Sequence, residues 1–210
     1  MAAPRCRTVP LRLLLVRHGL SSFNKERRIQ GRDDLSNLSE EGHEQARRLG
    51  RSLADVPIDA IYSSPLRRAA STTTSLLEGR DAAAPQPEFD DGLLEVDLNP
   101  WSGLLIDELT QRFPELYDTW KRRPMELELT HSDGRTYRPL VELMQQARAF
   151  LDALFQRHAL TGNDTVLVVA HNAILRCLML VMLGEPDHGF RRLRVDNTSL
   201  SIVNLQPGEE

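Results

Sequence analysis

The sequence predicts an α/β fold built on a mostly parallel central sheet, and three observations carry that expectation. Short runs at residues 11–16, 58–62 and 165–170 are apolar almost throughout, as suits strands covered on both faces. Segments of helical periodicity stand between and after these runs, and alternation of the two periods is the pattern of a parallel sheet. The chain has 210 residues, 40% of them hydrophobic and 27% charged, enough for one sizeable α/β domain.

Taken in order, the first strand is residues 11–16, with Arg12 as its one interruption. A helix follows from Ser39, a good N-cap, with Glu40 and Glu41 in the favourable first turn and Leu49 and Leu53 at helical spacing, ending near Ala54. The second strand, residues 58–62, leads through Pro65 into a helix over 66–77. The longest helix is expected over 140–158, then the third strand over 165–170 and a helix over 173–183 directly after it. A fourth strand is expected over 200–205. Residues 81–138 break the rhythm, with Pro85, Pro87, Pro100, Pro114 and Pro124 around one amphipathic helix over 106–122. They are expected to be an insertion over the active edge of a single domain spanning 1–210, with Leu109, Phe113, Leu116 and Trp120 as the packing stripe. No internal repeat or low-complexity tract is visible.

The formal net charge of -4 argues against nucleic acid or an acidic membrane as the main partner, so any anion site must be a local cluster. The cysteines, Cys6 and Cys177, are too few for a disulfide framework and are expected as free thiols in a reducing compartment, Cys177 as a core residue. The first ten residues lack the apolar centre of a secretory signal, and no stretch approaches the roughly 20 apolar residues of a membrane span. A soluble, cytoplasmic protein is expected.

The chemistry-bearing residues collect after the strands. The first strand runs into Arg17, His18 and Gly19, the second into Ser63, Ser64, Pro65, Leu66 and Arg67, the third into His171 and Asn172. Open parallel sheets bind ligands at the carboxyl ends of their strands. If the three runs are neighbours, two histidines and two arginines meet in one crevice. Paired guanidinium groups suit a doubly charged oxyanion, a neutral imidazole between them can attack phosphorus, and a second, protonated histidine would add charge where the transition state needs it. Each residue alone has a plain structural reading: a single strand-end histidine is usually structural, and one of Arg67 and Arg68 is free to be a solvated surface charge. The convergence carries the case. Zinc is the rival for His18, His171, Glu95 and Asp97, but no HxH or HExxH spacing supports it, so no metal and no cofactor are expected.

These residues resemble a known signature. Leu15, Val16, Arg17, His18 and Gly19, followed by Ser21 and Asn24, are similar to the opening block of the histidine phosphatase superfamily, which includes the cofactor-dependent phosphoglycerate mutases. The likeness continues through Gln30, Gly31, Asp34, Leu38, Ser39 and Gly42, resumes from Tyr62 to Ala69 and at Leu94, Glu95, Trp101 and Gly103, and closes at Val168 to His171 and Asn197 to Ser199. The resemblance implies a phosphoglycerate mutase-like three-layer α/β/α sandwich with a helical insertion over the active site. It implies His18 as the nucleophile that becomes phosphohistidine, Arg17, Arg67 and His171 on the phosphoryl oxygens, Asn24 lining the same pocket, and Glu95 as the acid that protonates the leaving alkoxide and then activates water; Asn172, next to His171, is also expected to bind the phosphate.

The chain departs from the family pattern at Leu20, where many members have Glu, at Asn172, where many have Gly, in the loop from Asn99 to Gly103, and from Arg138 to Leu143, where a serine is common. These positions surround the organic part of a substrate more than its phosphate. The resemblance implies hydrolysis of a small phosphorylated metabolite (sugar phosphate, phosphoglycerate or phosphoserine type), and the chain looks like the carboxyarabinitol-phosphate and phosphoserine phosphatases of that superfamily. A mutase or a non-catalytic phosphate-binding module is the alternative. A homodimer through the insertion is compatible with the sequence and not required by it.

Overall fold

The computed structural model describes residues 11–80, 84–158, 163–185 and 187–206. Cys6 lies outside them, and Cys177 is buried and in no disulfide among the described residues. The main sheet has five strands: β1 (Leu11–Arg17), β2 (Ala60–Ser63), β3 (Pro87–Phe89), β6 (Thr165–Ala170) and β7 (Leu200–Leu205), in the order β3-β2-β6-β1-β7. Every pairing is parallel except that of β7, which runs antiparallel along the edge of β1. Central β6 (TVLVVA) is buried at all six positions, which is why its sequence shows no alternation.

The strands bury one set of side chains on each face, because successive residues point to opposite sides. Leu13, Leu15, Val166 and Val168 face the layer made by α6 (Pro139–Arg157) and α7 (Asn172–Met182). Leu14, Val16, Leu167 and Val169 face the layer of α2 (Glu40–Ser52) and α3 (Arg67–Leu77), meeting Leu53 and Leu76. The result is the three-layer α/β/α sandwich. Ser39 caps α2 as its spacing predicts, its hydroxyl accepting from Gly42 N at 3.1 Å.

The region after α3 differs from expectation in two ways. It opens by adding β3 to the sheet edge, a three-residue strand too short and too exposed to show a period. Its amphipathic helix is two helices, α4 (Ile106–Arg112) and α5 (Pro114–Arg122), broken at Phe113. Pro114 disfavours a helical conformation at the residue before it, and Phe113 has φ -135° and ψ 52°. Leu109 and Trp120 are buried as the stripe requires, but Leu116 stays exposed. A short hairpin of β4 (Leu129–Thr130) and β5 (Thr136–Tyr137) leads into α6. Among the described residues, no helix is long and apolar enough to cross a membrane.

One close approach fixes the active edge. A Cβ on Gly42 would sit 2.3 Å from Leu20 O, and one on Gly19 would sit 2.6 Å from Gly42 O. Only glycines allow the start of α2 to lie against the loop after β1. That loop continues into α1 (Ser22–Glu26), whose Ser21–Asn24 capping box turns the chain sharply away from the sheet.

Candidate active site

Three strands deliver their residues to one edge. The ladder of β1 runs one residue past its end, with His18 N donating to Ala170 O at 2.9 Å, and Ser64 N after β2 donates to Val169 O at 2.9 Å. His171, directly after β6, is the N-cap of α7. The rings of His18 and His171 therefore stand 5.2 Å apart, tilted by 59°, both almost fully buried.

The hydrogen bonds give the two rings different roles. His18 Nδ1 lies 2.8 Å from Gly19 O. A carbonyl only accepts, so Nδ1 carries the proton and Nε2 keeps its lone pair. Burial, then Arg68 and Arg17, push the His18 pKa well below the usual 6.5, so the ring is a neutral nucleophile near pH 7. His171 Nε2 lies 2.7 Å from Ser64 Oγ. That hydroxyl accepts from Leu66 N at 3.4 Å and has its own proton to give to Nε2. The His171 proton then belongs on Nδ1, which is buried and meets no partner among the described residues. Burial, Arg68, His18 and Arg17 lower its pKa as well, so this ring works as a neutral donor and not as the expected extra positive charge.

The arginine of α3 that faces the histidines is Arg68, and this corrects the expectation for Arg67. Arg68 is fully buried, its Nη2 donating to Gly31 O at 2.8 Å and its Nη1 to Asp33 O at 3.2 Å. Arg67 has a side chain 65% exposed and pairs with Asp34 at 2.9 Å. The reason is helical phase. Arg68, Thr72 and Leu76 recur every four residues on the face against the sheet, while Arg67, Thr74 and Glu78 lie on the outer face. That periodicity was readable in the sequence. Burial brings the Arg68 pKa down to about 10, against the pull of Glu95 and Asp34, which leaves it charged. Arg17 donates through Nη1 to Val195 O at 2.8 Å.

The remaining expected residues lie around this core. Asn24 Oδ1 accepts from Asn197 Nδ2 at 3.1 Å, and the same amide donates to His18 O at 3.0 Å and Gly19 O at 3.2 Å. Asn24 thus reaches the site through the backbone that carries His18. Thr198, at φ 56°, donates its N–H to Arg17 O at 3.1 Å, so a strained residue closes the same clamp. Asn172 opens α7, with Nδ2 donating to Val195 O at 3.3 Å and a buried, unpartnered Oδ1. Glu95, 9% exposed, accepts through Oε1 from Val96 N at 2.9 Å, Ala173 N at 3.1 Å and Ile174 N at 3.3 Å, which docks it on the first turn of α7. Glu95, Arg17 and Asn172 line one cavity of about 320 Å³. Among the described residues, no three His, Cys, Asp or Glu side chains gather to hold a metal ion.

Sequence reasoning gave Ser64 no role beyond its place at a strand end and passed over Thr72. Ser64 sets the His171 tautomer, and Thr72 Oγ1 accepts from Gly19 N at 3.0 Å, bracing the nucleophile's loop. Their signal was position alone: one follows a strand end, the other sits one turn from Arg68.

Three buried donors, Arg17 Nε, Arg68 Nε and His171 Nδ1, have no partner among the described residues. Buried polar groups are rarely left so, and each orphan in a native protein calls for an explanation. Here Arg17 and Arg68 each act electrostatically on both histidine rings. Unpartnered donors on the residues that act on the nucleophilic ring suit the oxygens of a phosphoryl group.

The model of the histidine phosphatase superfamily (branch 1) matches residues 13–210. Phosphoserine phosphatase 1 of Hydrogenobacter thermophilus is 31% identical over 196 residues, covering 93% of this chain and 87% of that protein. The 2-carboxy-D-arabinitol-1-phosphatase of Triticum aestivum is 33% identical over 93% of this chain, which spans 37% of that longer protein. The solved structure of Bacillus stearothermophilus YhfR superimposes with a TM-score of 0.79 at 32% identity, covering 91% of this chain and 90% of that one. With the paired histidines, the buried arginines and the acid beside them all in place, the chain belongs to the histidine phosphatase superfamily, in its branch 1.

Proposed function

We propose that this chain is a metal-independent phosphomonoesterase that hydrolyses a small phosphorylated metabolite through a phosphohistidine on His18. A neutral His18 whose Nε2 is free of the ring proton, beside His171 and acted on by Arg17 and Arg68, whose Nε donors are buried and unpartnered among the described residues, carries this reading.

The chemistry proceeds in two balanced halves. Nε2 of His18 forms a bond to phosphorus as the phosphorus–oxygen bond to the alcohol breaks. Glu95 gives its proton to the departing alkoxide, so the alcohol leaves neutral. Arg17, Arg68 and His171 Nδ1–H hold the three phosphoryl oxygens, whose charge they match in the transition state. Glu95, now a carboxylate, takes a proton from water, whose oxygen attacks phosphorus and breaks the bond to Nε2. Inorganic phosphate leaves, and His18 is restored as a neutral ring with its proton still on Nδ1. General acid–base catalysis of this kind contributes about 10²–10⁴-fold.

The test is phosphate release with EDTA present from p-nitrophenyl phosphate, phosphoserine, 3-phosphoglycerate and sugar phosphates, with His18→Ala as control. Release lost by on the order of 10⁴-fold or more in the variant, with an acid-labile phosphoenzyme trapped in the wild type, is expected. Activity that survives in His18→Ala refutes the covalent route. Isomerisation of 3-phosphoglycerate in place of release makes the chain a mutase.

A further inference from the structure

The cavity beside Glu95 holds more positive charge than one phosphoryl group uses. Arg17, Arg28, Arg176 and Arg191 all line it, and Glu95 is the one acid among the residues that do. Arg17 belongs to the phosphoryl site. Arg28 is engaged elsewhere, its Nε pairing with Glu26 at 2.6 Å and its Nη1 donating to Gly103 O at 2.8 Å. Arg176 and Arg191 remain. Among the described residues no ion pair engages either, Glu95 acts on Arg176 from further off, and Arg176 Nε is buried with no hydrogen-bond partner.

Both guanidinium groups are nevertheless held in place. Arg176 lies over the ring of Phe190 at 5.3 Å. Arg191 lies over Trp120 at 4.6 Å and over Phe190 at 5.2 Å, and its Nη2 donates to Trp120 O. Aromatic faces orient a guanidinium without neutralising it. The cations also act on one another. Burial and Arg176 bring the Arg191 pKa down to about 10, and burial, joined by Arg176 against the pull of Glu95, lowers that of Arg17. A row of cations runs from the phosphoryl site outward, preorganised by these rings, with Glu95 and Asp196 acting on Arg176 without an ion pair among the described residues.

We infer that Arg176 and Arg191 form a second anion subsite that takes a carboxylate on the alcohol part of the substrate. The inference rests on the phosphomonoesterase reading for the position of the phosphoryl group. Arg176 lies four residues along α7 from Asn172 at the phosphoryl site, a rise of about 6 Å, so the two anionic groups sit on a short carbon chain. A planar carboxylate meets the guanidinium fork edge-on while the ring supports its face. A second dianionic phosphate would set two more negative charges against the phosphoryl group a short chain away, which favours the singly charged carboxylate.

The test separates binding from turnover. Calorimetric titration of the full chain carrying His18→Ala compares 3-phosphoglycerate with glycerol 3-phosphate, which replaces the carboxylate by a hydroxymethyl group. The expected result is roughly ten- to a hundredfold tighter binding of 3-phosphoglycerate, collapsing towards equality when Arg176→Gln or Arg191→Gln is added. Arg176→Lys and Arg191→Lys should keep part of the preference. A merely structural role for Arg191, tethering α5 through Trp120 O, would weaken both ligands alike and leave their ratio unchanged, which overturns the inference. Equal affinities in the starting protein also overturn it. Wild-type turnover of p-nitrophenyl phosphate reports separately on the phosphomonoesterase reading, so either idea can fail without the other.

Discussion

Neighbouring arginines on one helix provide the sharpest test of the site. Arg68→Ala removes a fully buried guanidinium that acts on both histidines and donates to Gly31 O and Asp33 O. Loss of one donor matched to developing charge costs roughly 10²–10³-fold in rate, and that is the expected fall in kcat/KM for p-nitrophenyl phosphate. Hydrogen bonds from a charged group contribute about 1.5–3 kcal/mol each, and removing the buried charge recovers part of that, for a net loss near 2–3 kcal/mol. In a domain of this size that lowers Tm by about 5–10 °C. Arg67→Ala removes an exposed ion pair with Asp34, worth under about 1 kcal/mol. It also leaves intact the bond from the Arg67 backbone N to Asp34 Oδ1 at 2.8 Å, which satisfies the start of α3. Its kcat/KM should stay within about twofold of wild type, with Tm within roughly 3 °C. Arg68→Lys keeps a charge without the fork and should fall between. Steady-state kinetics and thermal unfolding on the three variants decide the matter. If Arg67→Ala loses as much activity as Arg68→Ala, or Arg68→Ala keeps most of its activity at native stability, the assignment of the phosphoryl site is wrong.

Glu95→Gln should slow alkyl phosphates by roughly 10²–10⁴-fold and p-nitrophenyl phosphate far less, because nitrophenolate leaves without a proton; equal slowing would remove Glu95 as the donor. The folded-state pKa values of His18 and His171 are both lowered from 6.5, so on acidification the unfolded chain binds protons first. Each ring should therefore cost about 1.4 kcal/mol of stability per pH unit below 6.5, until its own lowered pKa is reached. Urea unfolding between pH 7 and pH 5 measures this, and a His18→Ala variant with the full wild-type slope would contradict it. Gly42→Ala places a methyl 2.3 Å from Leu20 O, a backbone atom, and should destabilise the chain by about 1–3 kcal/mol with lost activity through the displaced His18 loop. Unchanged thermal unfolding would show that the contact relaxes freely.

The fold was legible where burial forces a pattern. Residues 165–170 are all apolar because β6 is covered on both faces, and α2 announces itself through Ser39, its acidic first turn and its leucine spacing. Legibility failed where an element is too short to carry a period, as in β3. It also failed where one local signal was outvoted by a longer one. The stripe of Leu109, Phe113 and Trp120 suggested a continuous helix, although Pro114 had already restricted Phe113.

The site divides along the same line. His18, His171 and Glu95 could be placed because two follow directly on strand ends and the third sits in a motif, so their positions depend on topology and spacing. Arg68 depended on which way a side chain points, a matter of 100° of helix rotation between it and Arg67. The face is settled by Thr72 and Leu76 continuing from Arg68 into the core while Thr74 and Glu78 continue from Arg67 into solvent. Arg176 and Arg191 lay further from view. One is on a helix whose other residues read as core, and the other sits in a short 3-10 turn after it. Their shared cavity exists only once Trp120, brought in by α5, closes over Phe190, with the two rings 6.1 Å apart. Phosphate chemistry was thus written into contiguous blocks at strand ends. Selection among phosphates is assembled from single residues on three elements, and only the folded chain brings those together.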